Sequence, residues 1–124
     1  MKKEIIVLDK KYARLAPLIQ RTLTRIGTTN DFIHTHLEVY LVGDSFMKKN
    51  VLSFPAPGNF PRPDLKKYRS LGELYLNPGY IKRHNENLVY MLIHGALHLL
   101  GYDHHTKRDT MAMEKKEQEL LALL

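Results

Sequence analysis

Cysteine and tryptophan are both absent from this 124-residue chain. Without cysteine there is no disulfide and no thiolate-bound metal, so a metal site here has only imidazole and carboxylate groups to draw on. The same absence fits a reducing compartment, and a cytoplasmic location is expected. Long apolar runs are missing too. None approaches the roughly 20 residues that cross a membrane, and Met1-Lys2-Lys3-Glu4 leads into a strand with no secretory hydrophobic segment. No repeat or low-complexity tract occurs. Acidic residues are the minority charge, 13 against 19 Lys and Arg, which leaves +6 with histidine neutral. That balance favours a polyanionic partner such as a nucleic acid. With 44% hydrophobic residues, residues 1–124 are read as a single domain with its own core.

Hydropathy patterning places the elements. Glu4-Ile5-Ile6-Val7-Leu8 is a short apolar run and reads as a buried first strand. From about Ala13 to Arg25, Leu15, Leu18, Ile19 and Leu23 share one helical face. Pro17 belongs in the first turn or kinks that helix, and Gly27 closes it. His36 to Val42 alternates, with Leu37, Val39 and Leu41 on one side. Asp44 to Asn50 reads as one or two helical turns, and Val51-Leu52-Ser53-Phe54 as a third strand stopped by Pro55. Ala56 to Ser70 is Pro-rich and basic. It reads as an exposed loop, because neither flank is large enough to fold alone. Gly72-Glu73-Leu74-Tyr75-Leu76 is a fourth strand, ended by Asn77-Pro78. A helix from about Glu86 to Leu100 is apolar over most of its surface and so central, with the stripe Asn87, Met91, His94 and His98 left for a site. Thr106 and Asp109 open a last helix, which runs to near Leu124. The expected fold class is α/β (α+β), a single sheet of about four strands packed with about four to five helices.

The chain is rich in ordered histidine. In His94-Gly95-Ala96-Leu97-His98-Leu99-Leu100-Gly101-Tyr102-Asp103-His104, the first two imidazoles are four residues apart, one turn above the other on a helix. Gly101 suits the helix end, because glycine readily takes the left-handed conformation that turns the chain back. His104 then swings round to meet the other two. Three neutral imidazoles with a fourth position open are the ligand set of a catalytic zinc, so one Zn2+ per chain on His94, His98 and His104 is expected. His105 points away from its neighbour and is not counted as a ligand. The spacing is that of metzincin peptidases, with one difference. Those enzymes carry their general base, a Glu, directly after the first His, where this chain has Gly95. A mid-helix glycine costs about 1 kcal/mol against Ala. The reading adopted is that it lets another backbone or a substrate approach the metal face closely.

These residues also resemble a known family. The histidine segment is similar to the signature of the YbeY family of bacterial rRNA maturation factors. Val51-Leu52-Ser53-Phe54-Pro55 resembles the second half of that family's T-D-V-L-S-F-P segment, and Leu71-Gly72-Glu73-Leu74 resembles its L-G-D-I strand. Met113, Glu117 and Leu120-Leu121 resemble its closing helix. The resemblance implies a zinc-dependent endoribonuclease acting on single-stranded RNA, in 16S rRNA 3′-end processing and ribosome quality control, with the small ribosomal subunit as partner. One segment departs. The family's longer L-N-x-x-Y-R stretch before the strand, with its arginine, is missing, because Met47-Lys48-Lys49-Asn50 runs straight into Val51.

Three functions compete on the residues: RNA cleavage, a zinc peptidase, and a non-catalytic zinc-binding ribosome-associated module. Lys48, Lys49, Arg62, Lys66, Lys67 and Arg69 are the candidate phosphate contacts, each also readable as plain solvated surface. Asp103 is the candidate catalytic base or imidazole-orienting group, with a turn role beside Gly101 as its alternative. Glu114 and Glu117 read as weaker candidates, or as helix-surface charges.

Overall fold

Two parallel strands joined across a helix begin the chain. In this computed structural model, which describes residues 1–57 and 67–124, strand β1 (Lys2–Val7) is followed by a 3-10 turn (Lys10–Leu15) and helix α1 (Ala16–Ile26). Strand β2 (Thr35–Leu41) then returns parallel to β1. Strand β3 (Val51–Pro55) and strand β4 (Arg69–Leu76) complete a four-stranded mixed sheet in the order β1-β2-β4-β3. β4 lies parallel to β2, and β3 pairs antiparallel to β4 at the edge. Helices α2 (Pro78–Arg83), α3 (Leu88–Leu100) and α4 (Lys107–Leu121) follow. The expected α+β sheet of four strands with its helices is what the chain adopts. Among the described residues no helix is long and apolar enough to cross a membrane.

Alternation in β2 decides which face is core. Leu37, Val39 and Leu41 are fully buried, while Glu38 and Tyr40 between them are half-exposed. The inward residues meet Leu74 and Leu76 of β4, Ile19, Leu23 and Ile26 of α1, and Leu92, Ile93, Ala96 and Leu97 of α3 in one apolar cluster. Burying a large aliphatic side chain contributes about 1.5–3 kcal/mol, so this cluster sets the position of α3, which carries the histidines. On the opposite face Tyr40 and Tyr75 stack at 4.6 Å, and their hydroxyls donate to Glu38 and Glu73.

Several boundaries differ from expectation, each for a tertiary reason. β1 ends at Val7, and the Leu8 and Asp9 amides both turn onto the Leu41 carbonyl, leaving Leu8 52% exposed. Pro17 does lie in the first turn of α1, but the residues before Ala16 form the tighter 3-10 turn. Of Asp44 to Asn50, one turn forms on the Gly43 carbonyl, within the expected one or two, and residues 48–50 bend on into β3. β4 starts at Arg69, three residues before Gly72, because Arg69 and Ser70 pair with Thr35 and His36. Helix α2 was not expected at all. Asn77-Pro78, read as a strand stop, is also a helix start: the Asn77 side chain accepts the Tyr80 amide at 3.1 Å, and Pro78 sits in the first turn. α4 opens on Thr106, whose hydroxyl accepts the Asp109 amide, and ends at Leu121.

Candidate metal centre

α3 begins where Asn87 accepts the Tyr90 amide at 2.9 Å, so Asn87 is a cap and not part of the site stripe. The helix ends on Gly101 at φ 112°, with its amide on the His98 carbonyl and the Tyr102 amide on the Leu97 carbonyl. Added β-carbon would meet nothing within 4 Å at Gly101. Glycine is wanted there for the positive φ alone.

That turn brings the three imidazoles together. Ring centroids lie 4.7 Å apart for His94 and His98, 5.1 Å for His98 and His104, and 5.3 Å for His94 and His104. One nitrogen from each falls within a 4.8 Å group. His94 and His98 are half-buried and His104 is exposed, so the centre opens to solvent on the His104 side.

The hydrogen bonds fix which nitrogens face inward. His94 Nδ1 is 2.9 Å from Glu117 Oε1, and His98 Nδ1 is 2.9 Å from the Tyr102 carbonyl oxygen. A carboxylate and a carbonyl only accept, so both Nδ1 atoms carry the proton and donate it. Both Nε2 atoms of neutral rings are then bare lone pairs, and they face each other at 3.1 Å. Two acceptors that close repel unless a cation lies between them. Zn–N bonds of ~2.0–2.1 Å at tetrahedral angles put ligand nitrogens about 3.3 Å apart, close to the observed spacing. The residues present fit a metal ion. Burial, and then the neighbouring His94, pushes His98 below the ordinary imidazole value, which keeps that ligand neutral. Because ligand imidazoles must be neutral to bind, metal affinity should fall as the pH drops from about 7.5 to about 5, below the ordinary imidazole value of ~6.5 that His98 itself lies under. Zinc titration at the two pH values measures this, and equal affinity would speak against histidine ligation.

Glu117 is the residue that sequence reasoning undervalued. It is no surface charge: it is 2% exposed, accepts His94 on one oxygen and takes the Tyr90 hydroxyl at 2.6 Å on the other. That bond pushes the Tyr90 phenol up to about 12, so it stays a neutral donor. A signal existed. Met113, Glu117 and Leu120 form the buried stripe of α4, and a carboxylate in an apolar stripe needs a partner.

Gly95 has a different role from the one expected. A β-carbon there would lie 2.3 Å from Leu74 Cδ1 and 3.1 Å from Val51 Cγ2, so the close approach is to the sheet and not to a substrate on the metal face. Ser53 Oγ also donates to the Gly95 carbonyl at 3.3 Å. Asp103 accepts the His105 amide at 3.1 Å, which holds its carboxyl below the usual carboxylate range and shapes the turn before His104. Glu114 is exposed.

The basic candidates divide. Lys48 and Lys49 are exposed and adjoin Asn50, whose side-chain amide approaches Met91 Sδ at 3.6 Å, one helical turn before His94. Lys67 and Arg69 are also exposed, but β3 and β4 run antiparallel, with Val51 opposite Leu76 and Pro55 opposite Gly72. They therefore sit at the other end of that strand pair from Lys48 and Lys49. Arg62 and Lys66 lie outside the described residues. A second trio, Glu4, His36 and Glu38, also brings ligand atoms within 4.8 Å. There the His36 Nε2 is already engaged by Glu4 at 3.2 Å, and Glu38 by the Tyr40 hydroxyl.

Comparison with known proteins bears on this geometry. The family model described as Endoribonuclease YbeY matches residues 28–124. The Endoribonuclease YbeY of Bartonella bacilliformis is 30% identical over 135 residues, covering 95% of this chain and 82% of that relative. The one from a Wolbachia of Drosophila simulans is 29% identical over 143 residues, covering 98% and 94%. A shorter match, to the Neorickettsia sennetsu protein of that name, is 59% identical over 39 residues and spans 27% of that relative's length. In fold, the chain is similar to the solution structure of TM1509 from Thermotoga maritima, with a TM-score of 0.55 at 23% identity over 96% of this chain and 90% of that one.

Proposed function

The chain belongs to the YbeY endoribonuclease family, and from that premise we propose that it is a zinc-dependent endoribonuclease acting on single-stranded RNA. The observation that carries this reading is the pair of facing Nε2 lone pairs, with His104 beside them. An all-imidazole donor set suits zinc. The finer reading is maturation of the 16S rRNA 3′ end and ribosome quality control in the cytoplasm, with the small subunit as partner. It rests on the motifs the chain has in common with that family.

A zinc ion held by His94, His98 and His104 supplies Lewis-acid stabilisation of the charge that develops on a phosphoryl oxygen. The chain does the rest. Glu117 and the Tyr102 carbonyl orient two imidazoles, and the Asp103 turn presents the third. Asp103 acts through that turn and not on the substrate. Lys48 and Lys49, next to Asn50, which reaches the metal helix at Met91, hold phosphates near the scissile bond. Lys67 and Arg69, at the other end of the β3–β4 pair, hold the RNA strand further along, and Arg62 and Lys66 are further phosphate contacts by their charge. RNA carries its own nucleophile, the 2′-OH, so glycine in place of a peptidase base removes peptide hydrolysis without removing RNA cleavage.

Cleavage of a single-stranded RNA by zinc-loaded and by chelated protein tests the proposal. Cutting should need the metal and binding should not. Affinity should fall with salt by roughly 0.7 log units per log unit for each phosphate neutralised. Lys48→Ala with Lys49→Ala should flatten that slope and slow cutting of bound RNA. Lys67→Ala with Arg69→Ala should flatten it and leave the rate on bound RNA unchanged. Salt-dependent RNA binding without any cleavage would leave a non-catalytic ribosome-associated factor. Chelator-sensitive proteolysis of casein would make the chain a peptidase.

A further inference from the structure

α4 brings to the metal centre a buried carboxylate and no ligand. Glu117 sits in the otherwise apolar stripe of Met113 and Leu120. A charge in that setting is costly unless donors satisfy it. Both of its donors, Tyr90 and His94, lie on α3 and are four residues apart, so one side chain clamps two successive turns of the metal helix to α4.

We propose that Glu117 is a positioning residue that couples metal binding to the docking of α4. It holds His94 with Nε2 toward His98, and its negative charge lies one imidazole away from where a divalent cation would sit. Without a cation, that charge is buried against two neutral donors only. With one, three imidazoles and Glu117 enclose a net +1 instead of +2. Cation and carboxylate therefore stabilise each other, and the coupling is reciprocal: what Glu117 adds to metal affinity, the metal adds to the seating of α4. This inference rests on the metal reading above and goes beyond it, because a clamp that was merely structural would hold α4 equally well with or without the ion.

Glu117→Gln separates the two roles. The amide oxygen still accepts from His94 Nδ1, and the amide NH2 donates to the Tyr90 hydroxyl, so geometry stays while charge goes. Zinc affinity, read by competition with a chromophoric chelator, should weaken roughly 10–100-fold, the usual loss when a partner behind a metal-bound histidine is removed. The thermal midpoint of the metal-free protein should stay the same or rise. The midpoint gain on adding zinc should shrink, as should the zinc-induced hydrogen-exchange protection of α4. Tyr90→Phe keeps the charge, and should keep the zinc-dependent gain while lowering the midpoint of both forms. It also serves if the glutamine variant fails to fold. Wild-type zinc affinity in Glu117→Gln, equal losses of stability with and without zinc, or loss of the zinc-dependent gain in Tyr90→Phe would overturn the coupling. Failure of the unmodified chain to take up zinc would remove the metal reading itself, which sets the two failures apart.

Discussion

Alanine at His94, His98 or His104, one at a time, should strip the metal and cut single-stranded RNA cleavage by about a thousandfold or more. Lewis-acid stabilisation supplies several kcal/mol in the transition state, and each 1.36 kcal/mol is about tenfold in rate. All three rings converge, so removal of any one leaves two nitrogens, one short of the set that holds a catalytic zinc. His105→Ala is the control. Its ring is 84% exposed, stands 3.7 Å from Asp103 and lies outside the cluster. It should keep full metal content and activity. RNA affinity and its salt dependence should survive in all four variants, because the proposed phosphate contacts and the proposed metal ligands are different residues. Metal analysis of the purified variants decides the matter. Full stoichiometry in all three ligand variants would sink the site.

Gly95→Glu should be the most damaging single change to the fold. By sequence pattern it restores the glutamate that metzincins carry after their first histidine. In the structure the side chain leaves the helix toward Leu74 and Val51, in the core between α3 and the sheet. Leu74 is fully buried, so moving it disturbs the core around it. Overpacking of that kind costs about 1–3 kcal/mol, and an uncompensated buried charge adds roughly 3–5 kcal/mol, a large share of a domain's 5–15 kcal/mol. Urea unfolding should show the loss, and no peptide hydrolysis should appear. Gly95→Ala isolates the packing component. Its gain in helix propensity of about 1 kcal/mol opposes the clash, so it should lose less. A stable, proteolytic Gly95→Glu protein would mean that residue 95 faces the metal.

The two predictions mark how far local pattern reaches. His94 and His98 were legible because i, i+4 spacing on a helix needs no tertiary information, and Gly101 announced the turn that returns His104. Gly95 was legible as unusual, but its direction depends on which face of α3 meets the sheet, and α3 is apolar over most of its surface. Helix α2 was hidden because Asn-Pro ends a strand and begins a helix with equal right. The first two residues of β4 carry no strand signal of their own and pair because β2 lies alongside. The basic residues looked like one group in sequence. The antiparallel β3–β4 pair sends Lys48 and Lys49 to one end and Lys67 and Arg69 to the other.

By itself, the order of residues determined the candidate trio of histidines, the α+β class and the exclusion of thiolate chemistry, since each follows from residue type and short-range periodicity. Only the tertiary structure decided how the ligands are held. Glu117 lies 23 residues from His94 in the chain and reaches it because α4 packs on α3, and the Tyr102 carbonyl finds His98 because the chain reverses at Gly101. Those two acceptors fix the tautomers that turn a pair of histidines into a pair of facing lone pairs. A tautomer is set by what the far side of the ring touches, and that is a property of packing.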